Sequence, residues 1–222
     1  MQRFRYIAVL NLDNVPYCNA NDKHGACRLQ IALYAVTVPV YDAAERRDLR
    51  AETVMREFHR GGIEDASPVR GERTVLRPVV EADVDLLLGW HADPDVSRFW
   101  DGKTFTREAM LVRLARADVT PYLVLAEDKP VGYLQVWGDR EGGLDMFLAP
   151  GARGRGLGPD AARAMARHLL EGRDWTRVTV DPYAWNDIAL RAWRNAGFEE
   201  VSRHEADDEH LAPWVLMEFR QS

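Results

Sequence analysis

A glycine-rich segment between a predicted strand and a predicted helix constrains this chain more than any other feature. Residues 153–158 are Arg-Gly-Arg-Gly-Leu-Gly, and Pro159 follows at a position that suits the first turn of a helix. Glycine is a poor helix former, so its concentration at a helix start needs a reason. Glycine residues leave their backbone N–H groups uncovered, and at a helix N-terminus these groups point outward and can bind an anion. Arg153 and Arg155 add positive charge. The segment therefore predicts an anion-binding loop.

Two common glycine motifs do not describe this segment. Glycine alternates at 154, 156 and 158, which differs from Gly-x-Gly-x-x-Gly, and the Gly-Lys-Ser/Thr ending of a phosphate loop is missing. A flexible surface turn is the alternative interpretation of the glycines alone. The preceding strand, the following helix and a second motif around residue 186 argue against that alternative.

Apolar periodicity around the segment predicts a mixed α/β layer rather than a repeating βαβ array. Thr106 is the expected N-cap of one helix, and Gly197 is the expected end of another. The predicted strands cover 74–80, a hairpin over 121–139 with its turn at Asp128–Lys129, 142–150, 177–182 and 214–220, and the predicted helices cover 81–93, 106–118, 159–171 and 186–197.

Composition limits the environment and the partners. The 222 residues carry a formal charge of −6, which argues against nucleic acid and is compatible with a cationic ligand. The longest apolar run, 31–40, is too short to span a membrane. Cys18 and Cys27 make no disulfide framework, and with His24 they lack the spacing of a metal site. We expect a cytoplasmic protein without a metal, present as a monomer or a homodimer.

A boundary rich in Gly, Pro and charge lies near residues 61–73. It predicts an N-terminal extension over residues 1–70 and a main domain over 71–222. Two interpretations of the extension stay open. Either it is a small accessory element, or translation starts inside it at Met55.

Two motifs in order resemble the GNAT superfamily of acyl-CoA-dependent N-acyltransferases over residues 74–222. The first is Arg153-x-x-Gly156-x-Gly158, and the second is VTVDPYAWNDIALRAWRNAGF, which begins at residue 178. The resemblance implies a central, mostly antiparallel mixed sheet flanked by helices, with splayed strands at the acyl-CoA site. It also implies acetyl-CoA as co-substrate. The residues that would bind it are Phe147, Leu148, Arg153, Gly154, Arg155, Gly156, Leu157, Gly158 and Asn186, with Phe147 or Leu148 supplying a backbone N–H.

Four further segments are similar to those of aminoglycoside 6′-N-acetyltransferases within that superfamily. They are VTPYLVLAEDKPVGYLQVW, GLDMFLAP, DPYAWN and RFWDG. The similarity implies acetyl transfer to the 6′-amino group of an aminoglycoside, a reaction that confers antibiotic resistance. Three other interpretations remain. One is a siderophore-type N-acyltransferase for lysine or hydroxylysine, a group that usually has His where this chain has Asp145. The second is a non-catalytic CoA-binding module, and the third is a protein N-terminal acetyltransferase.

Two aspartates are the candidate catalytic residues. Asp145 lies in an apolar strand, where an unpaired carboxylate is costly, so it is either a structural hydrogen-bond acceptor or an amine-binding group and base. Asp181 ends a strand, where an Asp-Pro turn is the plain alternative. The resemblance places both carboxylates at the substrate amine.

Other residues are candidate substrate contacts. The resemblance points to the aromatic pair, and the acidic residues suit a polycation, although solvated loops and core packing are the ordinary explanations. The candidates are Phe99, Trp100, Asp139, Glu141, Asp207 and Asp208, with Glu209 beside them.

One residue departs from the family pattern. Trp193 stands where many family members have a tyrosine that protonates the leaving thiolate, and an indole N–H is too weak an acid for that step. Tyr183 is the nearby substitute, with a surface aromatic as its alternative role. A thiolate can also leave unassisted, since thiols have a pKa of about 8.5.

Overall fold

The computed structural model describes residues 67–97, 99, 105–116, 118–207 and 210–221. Within these residues, eight strands form one sheet flanked by helices. The strands are β1 (Val69–Arg70), β2 (Val75–Pro78), β3 (Val119–Ala126), β4 (Lys129–Asp139), β5 (Glu141–Leu148), β6 (Arg177–Val180), β7 (Phe198–His204) and β8 (Trp214–Phe219). The helices are α1 (Val84–Ala92), α2 (Pro94–Ser97), α3 (Arg107–Leu114), α4 (Leu157–Gly172) and α5 (Asp187–Ala196), with 3₁₀ turns at Glu81–Asp83 and Pro150–Ala152.

The strand order is β1-β2-β3-β4-β5-β6-β8-β7, and all neighbours are antiparallel except β5 and β6, which are parallel. This arrangement confirms the predicted fold class, a mixed and mostly antiparallel sheet with helices around it. Val69 and Arg70 already pair with Leu76 and Val75, so the sheet begins just before the predicted domain start at residue 71.

Both faces of the sheet are covered by apolar packing. On one face, α4 and α5 enclose a cluster that includes Leu134 and Leu144. On the other face, α1 and α3 pack over Leu123, Tyr133 and Phe147. Side chains alternate between the two faces along each strand, which explains why β4 and β5 are apolar almost throughout.

Most helix caps and turns lie at or near the residues that the sequence predicts. Thr106 accepts a hydrogen bond from the Ala109 N–H at 3.2 Å, which confirms it as an N-cap. Gly197 ends α5 with a φ of 104°, a left-handed conformation that glycine adopts without strain. The hairpin prediction was wrong by one residue: β3 and β4 turn at Glu127–Asp128, whose φ values of 51° and 58° indicate a type I′ turn.

Two elements differ from their predictions. Strand β7 was missed, because most of its side chains are polar and exposed and, among the described strands, it pairs only with β8. The second predicted helix, 106–118, ends earlier, at Leu114. Within the described ranges, no helix is long and apolar enough to cross a membrane.

Candidate active site

Strands β5 and β6 separate from each other inside the sheet. They pair only at Glu141–Gly143 and Arg177–Thr179, after which β5 continues along β4 to Leu148 and β6 continues along β8. A Cβ on Gly143 would lie 2.3 Å from Trp137 Cζ2 and 2.6 Å from the Thr179 carbonyl oxygen, so the last paired position requires glycine. The opening beyond it exposes one backbone edge of β5, as the resemblance predicts for an acyl-CoA site.

The glycine segment lies where the open strand leads into α4. Gly156 is the N-cap of this helix, with φ 76°, and Gly154 has φ 72°. The helix begins at Leu157, two residues before the predicted start at Pro159. Gly154 has open space where a Cβ would be, so its backbone is accessible from solvent. Main-chain N–H groups at a long helix N-terminus can therefore receive an anion here.

The arginines of the segment have different surroundings. Arg153 donates from Nε to the Leu148 carbonyl at 3.0 Å and from Nη2 to the Asp95 carbonyl at 2.9 Å, so it fastens the loop to β5 and α2. Arg155 is exposed, with Nη2 3.9 Å from Glu127 Oε1. Arg73, which the sequence did not single out, donates from Nη1 to the Arg155 carbonyl at 2.6 Å. Arg155 and Arg73 thus bring two guanidinium groups to the outside of the loop, while Arg153 is held by two carbonyl oxygens.

A buried carboxylate anchors this loop to the start of the sheet. Asp160, in the first turn of α4, accepts hydrogen bonds from Glu72 N (3.0 Å), Arg73 N (3.1 Å) and Thr74 Oγ1 (2.7 Å). Burial is the largest single effect on its pKa and raises it, but these hydrogen bonds together outweigh burial and hold the pKa below its ordinary value. Sequence reasoning missed Asp160, whose partners are distant in the chain.

Asn186 lies at the N-terminus of α5, beside a cavity of about 430 Å³. Its Oδ1 accepts a hydrogen bond from Ala189 N at 3.1 Å, which makes it the helix N-cap. Its backbone N–H donates to the Tyr183 carbonyl at 2.9 Å, so a hydrogen bond to a ligand would come from Nδ2. The residues lining the cavity are Phe99, Trp185, Asn186, Asp187, Ile188 and Arg191.

The register separates the two predicted backbone donors. Ala149 N donates to the Val131 carbonyl at 2.9 Å, and the Phe147 carbonyl lies against Gly132, so the odd-numbered residues of β5 turn their backbone groups toward β4. By alternation, Met146 and Leu148 turn theirs toward the opening. The geometry favours Leu148 over Phe147 as the N–H donor.

Asp145 is half-buried and belongs to a polar network on the open part of β5. Gln135, its cross-strand partner, donates from Nε2 to Asp145 Oδ2 at 2.7 Å. Gln135 Oε1 in turn accepts from Tyr133 Oη at 3.1 Å and from Arg113 Nη2 at 3.4 Å. His91 packs nearby against Tyr133; burial first, and the charge of Arg113 second, lower the pKa of this histidine to about 4, so it is neutral at pH 7. The network orients the Asp145 carboxylate.

Asp181 follows β6 directly and occupies the position equivalent to Asp145 across the opening. Each aspartate lies two residues beyond the last paired residues, Gly143 and Thr179. Parallel strands project equivalent residues to the same face, so the structure brings the two predicted catalytic carboxylates to one side of the sheet. His210, unpredicted from sequence, places Nε2 3.5 Å from Asp181 Oδ2.

Aromatic rings line the segment after β6. Trp185 stacks on Phe99 with ring centroids 5.6 Å apart and on Tyr183 at 5.7 Å, and 55% of Trp185 is exposed. Trp193 is buried against Phe198 in the core, where it serves packing. The tryptophan at the position where the resemblance expects a tyrosine is therefore part of the core.

The remaining predicted substrate contacts are more scattered. Asp139 and Glu141 face each other at the β4–β5 turn, where β5 and β6 are still paired, away from the glycine loop. Asp207 contacts His210 near Asp181. Trp100 and Asp208, with Glu209, lie outside the described residues.

The fold and the glycine loop define an acyltransferase of the GNAT type. Residues 79–206, more than half of the chain, match the acetyltransferase (GNAT) domain, and the chain belongs to this family. The expected class of enzyme, an N-acetyltransferase with acetyl-CoA as donor, is thereby confirmed.

Among its relatives are aminoglycoside N(6′)-acetyltransferases type 1 of Klebsiella pneumoniae and of Serratia marcescens. Each is 28% identical over 150 residues, which cover 58% of this chain and 75% of the relative. A solved structure of AAC(6′)-Ib in complex with paromomycin and acetyl-CoA superimposes with a TM-score of 0.60 at 27% identity, covering 68% of this chain and 94% of that one.

The residues present fit the phosphate part of such a donor. Gly154, with positive φ and open space at its Cβ position, leaves the backbone before the helix accessible, and Arg155 and Arg73 bring guanidinium groups to the same loop. In the described part of the chain, no group of three or more His, Cys, Asp or Glu side chains is placed to hold a metal ion.

Proposed function

We propose that the protein is an aminoglycoside 6′-N-acetyltransferase that uses acetyl-CoA and confers antibiotic resistance in the cytoplasm. The observation that supports it is the separation of β5 from β6: Asp145 lies in β5 and Asp181 directly follows β6, each two residues beyond the last paired position. Two carboxylates on one side of the opening suit a cationic amine. The named relatives, which are aminoglycoside N(6′)-acetyltransferases, support the same acceptor.

The donor would be held by the open edge of β5, the glycine loop and the start of α5. Backbone N–H groups from Gly154 to Gly158 would bind its pyrophosphate, with Arg155 and Arg73 adding charge. Asn186 would contact it through Nδ2. When bound, acetyl-CoA supplies an acetyl thioester that an amine can attack directly.

The protein's own groups would prepare that attack. Asp145 and Asp181 bind the substrate ammonium group, and Asp145 accepts the proton that the amine must lose before it becomes a nucleophile. The Gln135 amide, at 2.7 Å, holds the Asp145 carboxylate in one orientation. The Leu148 N–H, which faces the opening, donates to the carbonyl oxygen on which charge develops.

The aromatic residues beside the opening would complete the acceptor site. Phe99 and Trp185 form a flat apolar wall, and Tyr183 extends it toward Asp181. Trp193 is enclosed by the core, so Tyr183 is the tyrosine that we propose for protonating the leaving thiolate. Substitution of Tyr183 by Phe should then lower kcat near neutral pH, where a general acid carries its proton, with little change in acetyl-CoA binding.

The test is thiol release from acetyl-CoA with a panel of acceptors. The panel holds kanamycin, tobramycin, an aminoglycoside with a 6′-hydroxyl group, lysine, N6-hydroxylysine and a short peptide. Release with the two 6′-amines and not with the 6′-hydroxyl compound supports the proposal. Release only with lysine compounds or peptide contradicts the acceptor, and no release despite tight acetyl-CoA binding favours a non-catalytic module.

An Asp145→Asn variant tests the role of the carboxylate. Loss of a general base costs roughly a hundredfold or more in rate, so kcat should fall by about that factor while the KM for acetyl-CoA stays within about twofold. Asp85→Asn is the matched control, because Asp85 is an exposed carboxylate on α1 that pairs with Arg107. Equal activity of both variants would remove Asp145 from the mechanism.

A further inference from the structure

His210 lies buried between two carboxylates, one of them the proposed substrate-binding Asp181. Its Nδ1 is 3.0 Å from Asp207 Oδ1, and its Nε2 is 3.5 Å from Asp181 Oδ2. The imidazole is only 7% exposed, so water does little to screen these contacts. No motif in the sequence indicates this arrangement.

The hydrogen bonds of Asp207 show that the Nδ1 atom of His210 carries a proton. Asp207 Oδ1 also accepts from His210 N at 2.7 Å, and its Oδ2 accepts from Trp214 Nε1 at 3.1 Å. Since Asp207 is an acceptor in both of these bonds, Nδ1 is the donor in the third. A neutral His210 would then turn the lone pair of Nε2 toward the Asp181 carboxylate, which is repulsive. Protonation replaces that repulsion with attraction.

The loop that carries His210 is attached to the segment after Asp181. Ala184 N donates to the Pro213 carbonyl at 2.8 Å, and Val215 N donates to the Pro182 carbonyl at 2.9 Å. The His210 ring stacks on Trp214 with centroids 4.2 Å apart. The imidazole therefore has a fixed position relative to Asp181.

We propose that His210 is a positioning residue whose protonated form clamps Asp181 to Asp207 and fixes the Asp181 carboxylate for acceptor binding. This inference rests on the proposed function for the role of Asp181. It predicts that binding of the amine, but not of acetyl-CoA, depends on the charge of His210.

The charged groups around the ring favour the imidazolium. Burial is the largest single effect on the pKa of His210 and lowers it, but the hydrogen bonds and charges of Asp181 and Asp207 outweigh burial and raise the pKa above 6.5. On the far side of Trp214, His204 stacks at 4.1 Å and contacts Ser202. The neighbouring Asp208 and Glu209 lie outside the described residues.

The sign of the pH effect follows from that raised pKa. The clamp is complete below pH 6.5 and is lost as the pH rises through the pKa of folded His210. The KM for the amine should therefore rise as the pH increases from 6.5 through the pKa of folded His210. Ionisation of the substrate amine adds its own pH dependence, which is common to wild type and variants.

Kinetics of three variants, measured from pH 5.5 to 9, separate positioning from packing. His210→Ala should raise the KM for kanamycin about tenfold near neutral pH, because Asp181 loses its charged partner at 3.5 Å, with little change in the KM for acetyl-CoA. His210→Gln keeps an N–H donor that does not titrate, so it should restore the KM and abolish the additional inflection. His204→Gln, which alters the same aromatic stack without touching a carboxylate, is the control and should behave as wild type.

Proton NMR of the His210 ring, assigned by its loss in His210→Gln, reports the clamp without turnover. Its pKa should lie above 6.5 and fall in both Asp207→Asn and Asp181→Asn. An unchanged titration in Asp181→Asn, or an unchanged KM in His210→Ala, would overturn the proposal. Absence of turnover with every amine would instead overturn the proposed function, whatever the titration shows.

Discussion

Replacement of Asp160 by Asn tests whether the buried carboxylate in α4 holds the glycine loop to the sheet. Asn keeps the shape but presents one carbonyl oxygen and one NH₂ group. If the oxygen serves Arg73 N and Thr74 Oγ1, the NH₂ group faces the Glu72 N–H, which loses its partner. One lost hydrogen bond to a charged group costs about 1.5–3 kcal/mol, and the other two weaken by about half. We expect a loss of about 3 kcal/mol in the free energy of unfolding.

Urea denaturation measures this loss, and its pH dependence identifies the cause. Because the pKa of folded Asp160 is depressed, its stabilisation is present above the ordinary value of 3.8 and disappears as the pH falls through the folded pKa. The difference between wild type and variant should therefore be full at pH 7 and shrink on acidification. The KM for acetyl-CoA should rise as well, since Arg73 contacts the loop carbonyl of Arg155.

Glu171→Gln, an exposed change in the same helix, is the control for charge alone. Surface substitutions usually change the free energy of unfolding by no more than about 0.5 kcal/mol. If Asp160→Asn changes it by no more than that at pH 7, this account of the anchor is refuted.

Three further predictions concern the backbone of the site. Gly156→Ala forces a side chain into φ 76° and should cost about 1 kcal/mol of stability and raise the KM for acetyl-CoA; an unchanged KM would show that the loop does not bind the donor. Asn186→Ala should lose about 1 kcal/mol in thermal unfolding through its cap, whereas Asn186→Asp keeps the cap; a rise in the acetyl-CoA KM in both variants would identify a ligand contact by Nδ2. Gly143→Ala should separate β5 from β6, because its Cβ meets Trp137 and the Thr179 carbonyl, and wild-type stability would contradict that register.

Local features of the site were predictable from the sequence. The glycine segment indicates the start of a helix, and Asn186 and Gly197 delimit α5 as expected. The fold class and the choice of Asp145 and Asp181 came from motifs and from a family resemblance. These predictions depend on a few residues close together in the chain, where spacing alone carries the information.

Long-range partners were not predictable. Asp160 and Thr74 are 86 residues apart, and Arg73 meets Arg155 across 82 residues, so spacing cannot indicate that these groups meet. His210 lies in an acidic loop, where a surface histidine is the ordinary expectation. Whether the backbone N–H of Phe147 or of Leu148 faces the opening depends on strand register. Because both side chains are apolar, the pattern of polar and apolar residues does not specify that register.

Strand β7 has a consequence for how copies of this protein avoid one another at high concentration. Among the described strands it pairs only with β8, and its exposed residues include Glu199, Glu200 and Arg203. Its register shifts between Glu200 and Ser202, which interrupts the ladder that an incoming strand would need. Charge and irregularity together disfavour edge-to-edge pairing and the fibrous aggregation that it starts. The polarity that hides this strand from pattern analysis is the same property that protects the sheet.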